Sequence, residues 1–164
     1  MGRILTLVRH AKSSWKGDGL SDFDRPLNDR GLKNAPQMGR RLANSNYKVE
    51  QIISSPAVRA ITTATIIASE IGFGEQQIVK NAEIYEASLS ALINLVTSLD
   101  DNFSRVMLVG HNPGLTVLFN FLSNAKIDNM PTCSIAQIQF DVDSWNSITE
   151  HSGELIEFDY PKKP

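Results

Sequence analysis

The sequence predicts an α/β protein, with three α/β/α layers around a mostly parallel central sheet and an antiparallel C-terminal edge. Residues 4–8 and 105–110 form nearly continuous apolar runs, which are typical of strands buried on both faces of a sheet. Helical patterns alternate with these strands, and such alternation requires parallel pairing. Residues 132–140 and 154–160 predict two final strands with turn residues between them, which indicates the antiparallel edge.

The composition predicts a single domain over residues 1–164. With 164 residues and 41% hydrophobic content, the chain can form one substantial core. Its formal net charge of -2 provides no overall attraction to nucleic acid. Any site for an anion must therefore come from a few converging arginines.

The cysteine and histidine content bears on compartment and metal binding. Cys133 is the only cysteine and lies in an apolar stretch, so we expect it to pack in the core of a protein from a reducing compartment. No apolar run approaches the length of a membrane span, and the first residues lead into a strand instead of a signal peptide. The expected location is the cytoplasm, with no membrane partner. Because His10, His111 and His151 show no metal-ligand spacing, neither a metal nor another cofactor is expected.

The first helix has a clear predicted start. Residues 11–27 lack helical periodicity and predict a long functional loop over the edge of the sheet. Asn28 is expected to cap a helix from Asp29, but Pro36 should kink this helix or postpone its regular part to a second cap at Asn34. The expected buried face consists of Leu32, Ala35, Gly39, Leu42 and Ala43.

A strand at residues 50–54 leads into the second helix. Ser55-Pro56 predicts the start of this helix, because a capping residue is followed by proline. Arg59 then lies one turn into a helix that Gly72 ends. A phosphate at this helix N-terminus would meet free backbone N–H groups and a guanidinium together.

The remaining elements follow the same pattern. Residues 77–80 predict a short strand and residues 89–99 a helix. After the buried strand at 105–110, His111 lies in a turn and Asn112-Pro113 predicts another helix start. His151 falls in a polar turn region and is expected at the surface.

A parallel sheet brings residues that follow different strands to one edge. Arg9 and His10 follow the first strand, Arg59 the second, and His111 the buried strand at 105–110. Two arginines and two histidines favour a dianion, and the economical chemistry without a metal is phosphoryl transfer to a side chain. His10 is the available nucleophile, and nearby arginines would keep it neutral. His111, if protonated, would add a donor to the phosphoryl oxygens.

Several further polar residues are candidates for the same site. In the long loop, Ser13 and Arg25 are expected to bind substrate, as is Asn112 at the helix start. Lys12 and Ser14 can also reach a ligand, but simple exposure to solvent is an equally open interpretation. Two glutamates, Glu83 and Glu86, lie in the connection at 81–88 and are either catalytic carboxylates or solvated residues.

Three sequence motifs occur in an order that is known from one family. They are Arg-His at 9–10, Ser-Ser-Pro-Ala-Val-Arg-Ala at 54–60 with Thr-Thr-Ala at 62–64, and Gly-His-Asn-Pro-Gly at 110–114. In these motifs the chain resembles the histidine phosphatase (phosphoglycerate mutase-like) superfamily over roughly residues 4–122. Arg-His-Ala-Lys-Ser-Ser-Trp at 9–15 and Asp-Phe-Asp-Arg-Pro-Leu at 22–27 are similar to its SixA-type phosphohistidine phosphatase branch.

The resemblance implies roles for individual residues. It implies that His10 is the nucleophile and that Arg9, Arg59 and His111 bind phosphate. Glu86 aligns nearest to the position of the proton donor, with Glu83 second. The mutases and many esterases have Gly after the catalytic histidine and Asn a few positions later, where this chain has Ala11 and Lys16. Mutase and sugar-phosphate activities are therefore less expected.

The leading hypothesis is a metal-independent phosphatase that hydrolyses phosphohistidine in proteins through a covalent phosphohistidine intermediate. Its partners would be a phosphorylated protein, such as a histidine phosphotransfer domain, and inorganic phosphate as product; the enzyme is expected to be a monomer. A phosphomonoesterase for small phosphorylated substrates is the first alternative. A phosphoprotein-binding module without catalysis is the second, and the intact His10 and both arginines argue against it.

Overall fold

One six-stranded sheet organises the protein, in a computed structural model that describes residues 2–15 and 19–164. The strands are β1 (Arg3–Arg9), β2 (Gln51–Ser54), β3 (Val79–Lys80), β4 (Arg105–Gly110), β5 (Ile135–Phe140) and β6 (Gly153–Asp159). The helices are α1 (Asp29–Asn44), α2 (Val58–Ile71), α3 (Leu89–Thr97) and α4 (Gly114–Leu122). In the described residues, no helix is both long and apolar enough to cross a membrane.

The strand order is β3-β2-β4-β1-β5-β6. The first four strands of this order pair in parallel, whereas β5 runs antiparallel to both β1 and β6. Arg9 pairs with Gly110 and Ser54 with Val109, so β1, β2 and β4 end at nearly the same level. The mostly parallel α/β fold with an antiparallel C-terminal edge is confirmed, and the residues after these three strands share one edge of the sheet.

Two apolar cores, one on each face of the sheet, explain the unbroken hydrophobic runs. In β4, Val106 and Leu108 belong to the core beneath α3 and α4, which also contains the buried Phe119. Met107 and Val109 belong to the core beneath α1 and α2. Alternate side chains of a strand point to opposite faces, so a strand covered by helices on both sides must be apolar throughout.

Helix α1 differs from its prediction at Pro36. The helix is continuous from Asp29, and Asn28 caps it by accepting a hydrogen bond from Gly31 N at 2.9 Å, so Asn34 is not a cap. A proline inside a helix costs about 3 kcal/mol. Burial of Met38 and Leu42, each contributing about 1.5 to 3 kcal/mol, offsets that cost. The buried residues are Gly31, Ala35, Met38, Gly39 and Leu42.

The predicted buried face of α1 was therefore wrong at two of its five positions. Leu32 is 51% exposed and Ala43 is also exposed. The cause lies in Gly31, which packs directly on the backbone of Lys12. Because of this close approach, Gly31 lies against the segment that follows β1, and its larger neighbour Leu32 is left exposed.

The other element boundaries differ by a few residues. Helix α2 begins at Val58, because Ser55 accepts a hydrogen bond from Ala57 N at 3.2 Å in a turn before the helix. Helix α4 begins at Gly114 with Pro113 as its N-terminal flanking residue, so Asn112 does not cap it. Strand β3 is limited to two residues, α3 ends at Thr97, β5 begins at Ile135, and β6 covers Gly153–Asp159.

We expect Gly31→Ala to lower the free energy of unfolding by about 1 to 3 kcal/mol, as overpacking does. An alanine Cβ would lie 2.2 Å from the carbonyl oxygen of Lys12, a backbone atom that cannot rotate away. This clash outweighs the helix propensity that alanine adds, about 1 kcal/mol. Urea denaturation measures the difference. Gly74→Ala is the matched control, since its Cβ meets nothing closer than 3.6 Å; equal stability of the two variants would contradict the prediction.

Candidate active site

A cleft of about 630 Å³ opens where β1, β2 and β4 end. The structure brings together in its lining eight of the residues that the sequence singled out for the site, whereas Ser14 does not line it. They are Arg9, His10, Ser13, Arg25, Arg59, Glu86, His111 and Asn112. Lys12 also lines the cleft, whereas Glu83 is exposed and does not line it. Lys16, where the sequence departs from the mutases, lies outside the described residues.

The backbone of His10 is fixed on both sides. Its N–H donates to Gly110 O at 3.1 Å, and its carbonyl accepts from Cys133 N at 3.0 Å. The side chain is only 7% exposed, and Nδ1 lies 2.7 Å from Ala11 O. Because a carbonyl oxygen only accepts, Nδ1 must carry the proton. The lone pair of the neutral ring is therefore on Nε2, which makes Nε2 the nucleophilic atom.

His10 is neutral chiefly because it is buried. The pKa of His10 is lowered to about 3, with burial as the largest cause; His111, Arg59 and Arg9 also lower it, against the opposing hydrogen bond to Ala11 O. The sequence predicted the effect of the arginines, but desolvation is the larger cause. Burial also lowers the pKa of His111 to about 4, with Arg59 and Arg9 again contributing.

Both rings should remain neutral between about pH 6 and 8 in the free enzyme, well above their lowered pKa values. Burial disfavours the charged form, so a proton binds only at lower pH. NMR titration of labelled imidazoles measures this, with His10→Gln and His111→Gln to assign the signals. Added phosphate should raise the pKa of His111, because a dianion stabilises the imidazolium. Titration of either free ring near pH 6.5 would contradict the prediction.

The two arginines approach from different elements and have different partners. Arg9 Nη1 donates to Met130 O at 2.8 Å, and Arg9 Nε is buried with no hydrogen-bond partner among the described residues. Burial lowers the pKa of the Arg9 guanidinium, although arginine remains charged in proteins. Arg59, in the first turn of α2, is 6% exposed. Arg59 therefore has little contact with water, whereas Arg9 is half-buried.

Arg59 is bound to Asp22, a residue that sequence reasoning did not single out. Its Nη1 donates to Asp22 O at 2.6 Å and its Nη2 to Asp22 Oδ2 at 3.0 Å. The same carboxylate accepts from Tyr85 Oη at 2.6 Å and from Arg25 Nη1 at 2.8 Å. The hydrogen bond from Tyr85, with those from Arg25 and Arg59, holds the pKa of Asp22 well below its usual range. The protein's own carboxylate is thus bound to Arg59 in the cleft.

Thr63 connects the nucleophile to α2. Its Oγ1 accepts from Ala11 N at 2.9 Å and donates to Arg59 O at 2.8 Å. Ala11 follows His10, so one hydroxyl ties the turn after β1 to the helix residue that carries the guanidinium. The Thr-Thr-Ala motif was the available signal for this residue, and the block at 22–27 was the signal for Asp22.

His111 lies beside the nucleophile. The centroids of the His10 and His111 rings are 5.1 Å apart, and His111 Nε2 lies 2.7 Å from Ser55 Oγ. The other ring nitrogen, Nδ1, is buried with no partner among the described residues. Tyr85 packs edge-on against His111 at 5.5 Å. Protein contacts therefore orient the His111 ring before any ligand binds.

Ser13 and Arg25, two of the three residues predicted to bind substrate, also bind each other. Arg25 Nη2 donates to Ser13 Oγ, Arg25 Nε donates to Ser14 O at 3.0 Å, and the guanidinium lies 3.4 Å from the centroid of the Trp15 ring. Asn112 is more fully engaged. Its amide donates to Asn129 Oδ1 at 2.7 Å and to Met130 O at 2.9 Å, and its oxygen accepts from Thr116 at 2.8 Å.

Glu86 is the glutamate that lines the cleft, and it is exposed. Its φ of 53° lies in the left-handed region, which is uncommon for residues other than glycine and often marks a functional position. In residues 2–15 and 19–164, no three His, Cys, Asp or Glu side chains are grouped closely enough to hold a metal ion. The donors in the cleft are instead cationic and neutral nitrogens, which suit a phosphoryl group.

A parallel α/β sheet with a neutral, buried histidine between arginines at the strand ends defines a class of enzymes that transfer phosphoryl groups through histidine. Sequence and structure comparisons agree with that class. A profile of the histidine phosphatase superfamily (branch 1) matches residues 5–98. An uncharacterised chloroplast protein of Arabidopsis thaliana is 30% identical over 161 residues, which are 93% of this chain and 73% of that protein.

Solved structures are similar over almost the whole chain. The SixA structure from Agrobacterium tumefaciens is 28% identical, covers 97% of this chain and 98% of its own, and has a TM-score of 0.80. A SixA protein histidine phosphatase in complex with tungstate has the same fold, with a TM-score of 0.82, 19% identity and coverage of 96% and 97%. The chain belongs to the histidine phosphatase superfamily, and its SixA-type fold is that of the phosphoglycerate mutase-like proteins. It is a phosphatase.

Proposed function

We propose that this phosphatase hydrolyses phosphohistidine in proteins through a phosphohistidine intermediate on His10, without a metal ion. The observation that carries the proposal is the state of His10, whose Nδ1 faces the Ala11 carbonyl at 2.7 Å and whose pKa is lowered to about 3. Such a ring presents a free Nε2 lone pair at neutral pH. The similarity to SixA over 97% of this chain supports phosphohistidine as the substrate.

The first step transfers the phosphoryl group between two imidazoles. Nε2 of His10 attacks phosphorus, the P–N bond of the substrate breaks, and the departing imidazole, which already carries a proton on its other nitrogen, keeps the electron pair and leaves as a neutral ring. Arg9 and Arg59 stabilise charge on the equatorial oxygens in the loose transition state. Because Arg59 is bound to Asp22, the phosphoryl dianion must either share the Arg59 guanidinium with Asp22 or displace the Asp22 carboxylate from it.

The second step returns the enzyme to its starting state. A water oxygen attacks the phosphorus of phospho-His10, and the P–N bond to Nε2 breaks. Inorganic phosphate leaves, the lone pair returns to His10, and the water proton passes to phosphate or solvent. The proposal includes a single domain over residues 1–164 that acts as a monomer in the cytoplasm. The buried thiol of Cys133, whose pKa burial raises to about 12, suits a reducing compartment.

The side-chain placement of Glu86 favours one alternative, a phosphomonoesterase for small substrates. An alkoxide leaving group is strongly basic and needs a proton from a positioned acid, a contribution of roughly 10²- to 10⁴-fold. Glu86 lines the cleft and can supply that proton. Imidazole needs much less help, because the pKa of its conjugate acid is about 6.5.

We therefore expect Glu86→Gln to impair hydrolysis of an alkyl phosphate by about 10²-fold or more while changing hydrolysis of a phosphohistidine protein far less. Steady-state kinetics on both substrates measure the difference, and Glu83→Gln is the matched control outside the cleft. Equal losses on both substrates would mean that Glu86 binds substrate or shapes the cleft. A loss only in Glu83→Gln would assign the acid role to Glu83. Much faster turnover of a small phosphate ester than of any phosphohistidine protein would favour the alternative.

A further inference from the structure

A second groove, of about 300 Å³, lies directly beside the active-site cleft. Lys12 and Thr132 line both the cleft and this groove, so the two are continuous. Arg30 and Lys162 are the other charged residues of its lining, and none of the residues that line it is acidic. The basic groove, as we call the surface of Lys12, Arg30 and Lys162, thus carries three positive charges on a protein whose formal net charge is -2.

The three cations of the basic groove have no internal partner. In the described part of the chain, no ion pair or side-chain hydrogen bond involves Lys12, Arg30 or Lys162, and all three side chains are exposed. Three unpaired positive charges close together repel one another. Because no acidic side chain of the described residues forms an ion pair with them, the three cations are available to attract an anionic ligand.

The groove is a built feature, because both of its walls are anchored. One wall is the segment after β6, held on α1 by Arg41, whose guanidinium donates to Asp159 Oδ1 at 3.0 Å, Tyr160 O at 2.9 Å and Pro161 O at 3.0 Å. This contact also neutralises Asp159, an acid close to the groove. The other wall is fixed by the packing of Gly31 on the backbone of Lys12.

We propose that the basic groove binds an acidic segment of the phosphoprotein substrate, next to the phosphohistidine held in the cleft. This inference rests on the proposed function. The cations come from three different segments of the chain and share the lining of the groove with Pro131, Tyr160 and Pro161. Long, exposed side chains on apolar walls suit the carboxylates and carbon chains of a peptide. A protein substrate extends past its phosphorylated side chain, and its neighbouring residues can enter the groove that continues from the cleft at Lys12 and Thr132.

The test uses two synthetic peptides with one phosphohistidine each, flanked by Glu and Asp in one and by Gln and Asn in the other. We expect the enzyme to prefer the acidic peptide by about tenfold in kcat/KM at low ionic strength, since each exposed pair contributes little. The preference should decrease as salt is raised, because exposed charges are screened. Phosphoramidate, which has no flanking residues, serves as the probe of the cleft alone.

The double variant Arg30→Gln/Lys162→Gln should lose the preference through a higher KM for the acidic peptide. Its rate on phosphoramidate should equal that of the wild type, since neither residue lines the cleft. Lys48→Gln/Lys126→Gln is the matched control, with the same change in net charge and neither residue in the cleft or the groove. This control should retain the preference.

The outcomes separate the inference from the proposed function. Equal kcat/KM for the two peptides in the wild type, or an equal loss in the control variant, would overturn the acidic-segment proposal alone. Hydrolysis of small monoesters with no hydrolysis of either peptide would overturn the proposed function and this inference with it. A preference retained in Arg30→Gln/Lys162→Gln would also overturn the assignment to the basic groove.

Discussion

His10→Ala is expected to lower the rate of phosphohistidine hydrolysis by on the order of 10⁴- to 10⁶-fold, as loss of a covalent nucleophile does in other hydrolases. The reason is geometric. His10 Nδ1 is committed to Ala11 O, so Nε2 is the one nitrogen of this ring that can bond to phosphorus. Single-turnover kinetics on a phosphohistidine peptide measure the effect.

Rapid quenching should also trap phosphate on the wild-type enzyme. The phosphate should be acid-labile and alkali-stable, as a phosphoramidate bond is, and it should be attached to Nε2 of His10. Mass spectrometry locates the residue, and NMR of the denatured phosphoenzyme identifies the nitrogen. His151→Ala is the matched control, because His151 is exposed and its Nδ1 donates to Ser123 O at 2.7 Å, away from the cleft.

Two results would contradict the role of His10 as nucleophile, and a third would contradict the assignment of Nε2 as the attacking atom. Substantial activity in His10→Ala would mean that water attacks the substrate directly. An intermediate on Ser13 or His111 would assign the nucleophile to another residue of the cleft. Phosphate on Nδ1 of His10 would mean that the hydrogen bond to Ala11 breaks during turnover.

Arg59→Ala should lower kcat/KM by about 10²-fold or more, the usual cost of removing a donor to a developing oxyanion. The variant also releases Asp22, which loses two hydrogen bonds from Arg59. The Asp22 carboxylate keeps its hydrogen bonds from Tyr85 and Arg25 but is no longer neutralised by Arg59, so it repels the phosphoryl dianion. The loss should therefore be larger than that of a donor alone.

Arg59→Lys should restore little of this activity. A lysine is a point charge and cannot contact the backbone and the carboxylate of Asp22 together while it binds a phosphoryl oxygen. Steady-state kinetics on the same peptide compare the two variants with Arg40→Ala, whose guanidinium is exposed and pairs with Glu70 at 3.9 Å. Nearly full activity in Arg59→Lys would mean that charge alone, without the planar donor geometry, serves the transition state.

Local sequence patterns are enough to predict the layers of the fold and the edge of the sheet where the site lies. Apolar runs such as residues 105–110 predict buried strands because both faces of the sheet must be covered. Because the strands run parallel, the residues that follow them lie at one edge of the sheet, and these include Arg9, His10, Arg59 and His111. These inferences need only local patterns and a topological rule, so they hold without knowledge of packing.

The partners of these residues depend on contacts between distant parts of the chain. Asp22 and Arg59 are 37 positions apart, and Asp22 and Tyr85 are 63 apart, so no local pattern pairs them. The same holds for the burial that lowers the pKa of His10 to about 3, since it depends on how the turn after β1 packs against distant segments. How strongly a side chain is desolvated, and which side chain it pairs with, both depend on three-dimensional packing.

Helix α1 likewise has some features that local sequence predicts and others that only long-range contacts explain. Asn28 as a cap could be recognised from local preference, whereas the exposure of Leu32 follows from the packing of Gly31 on Lys12, 19 positions earlier. The basic groove likewise joins residues from the loop after β1, from α1 and from the segment after β6. Composition and periodicity determine which elements form, but contacts between residues far apart in the chain decide which charges remain unpaired and available to a substrate.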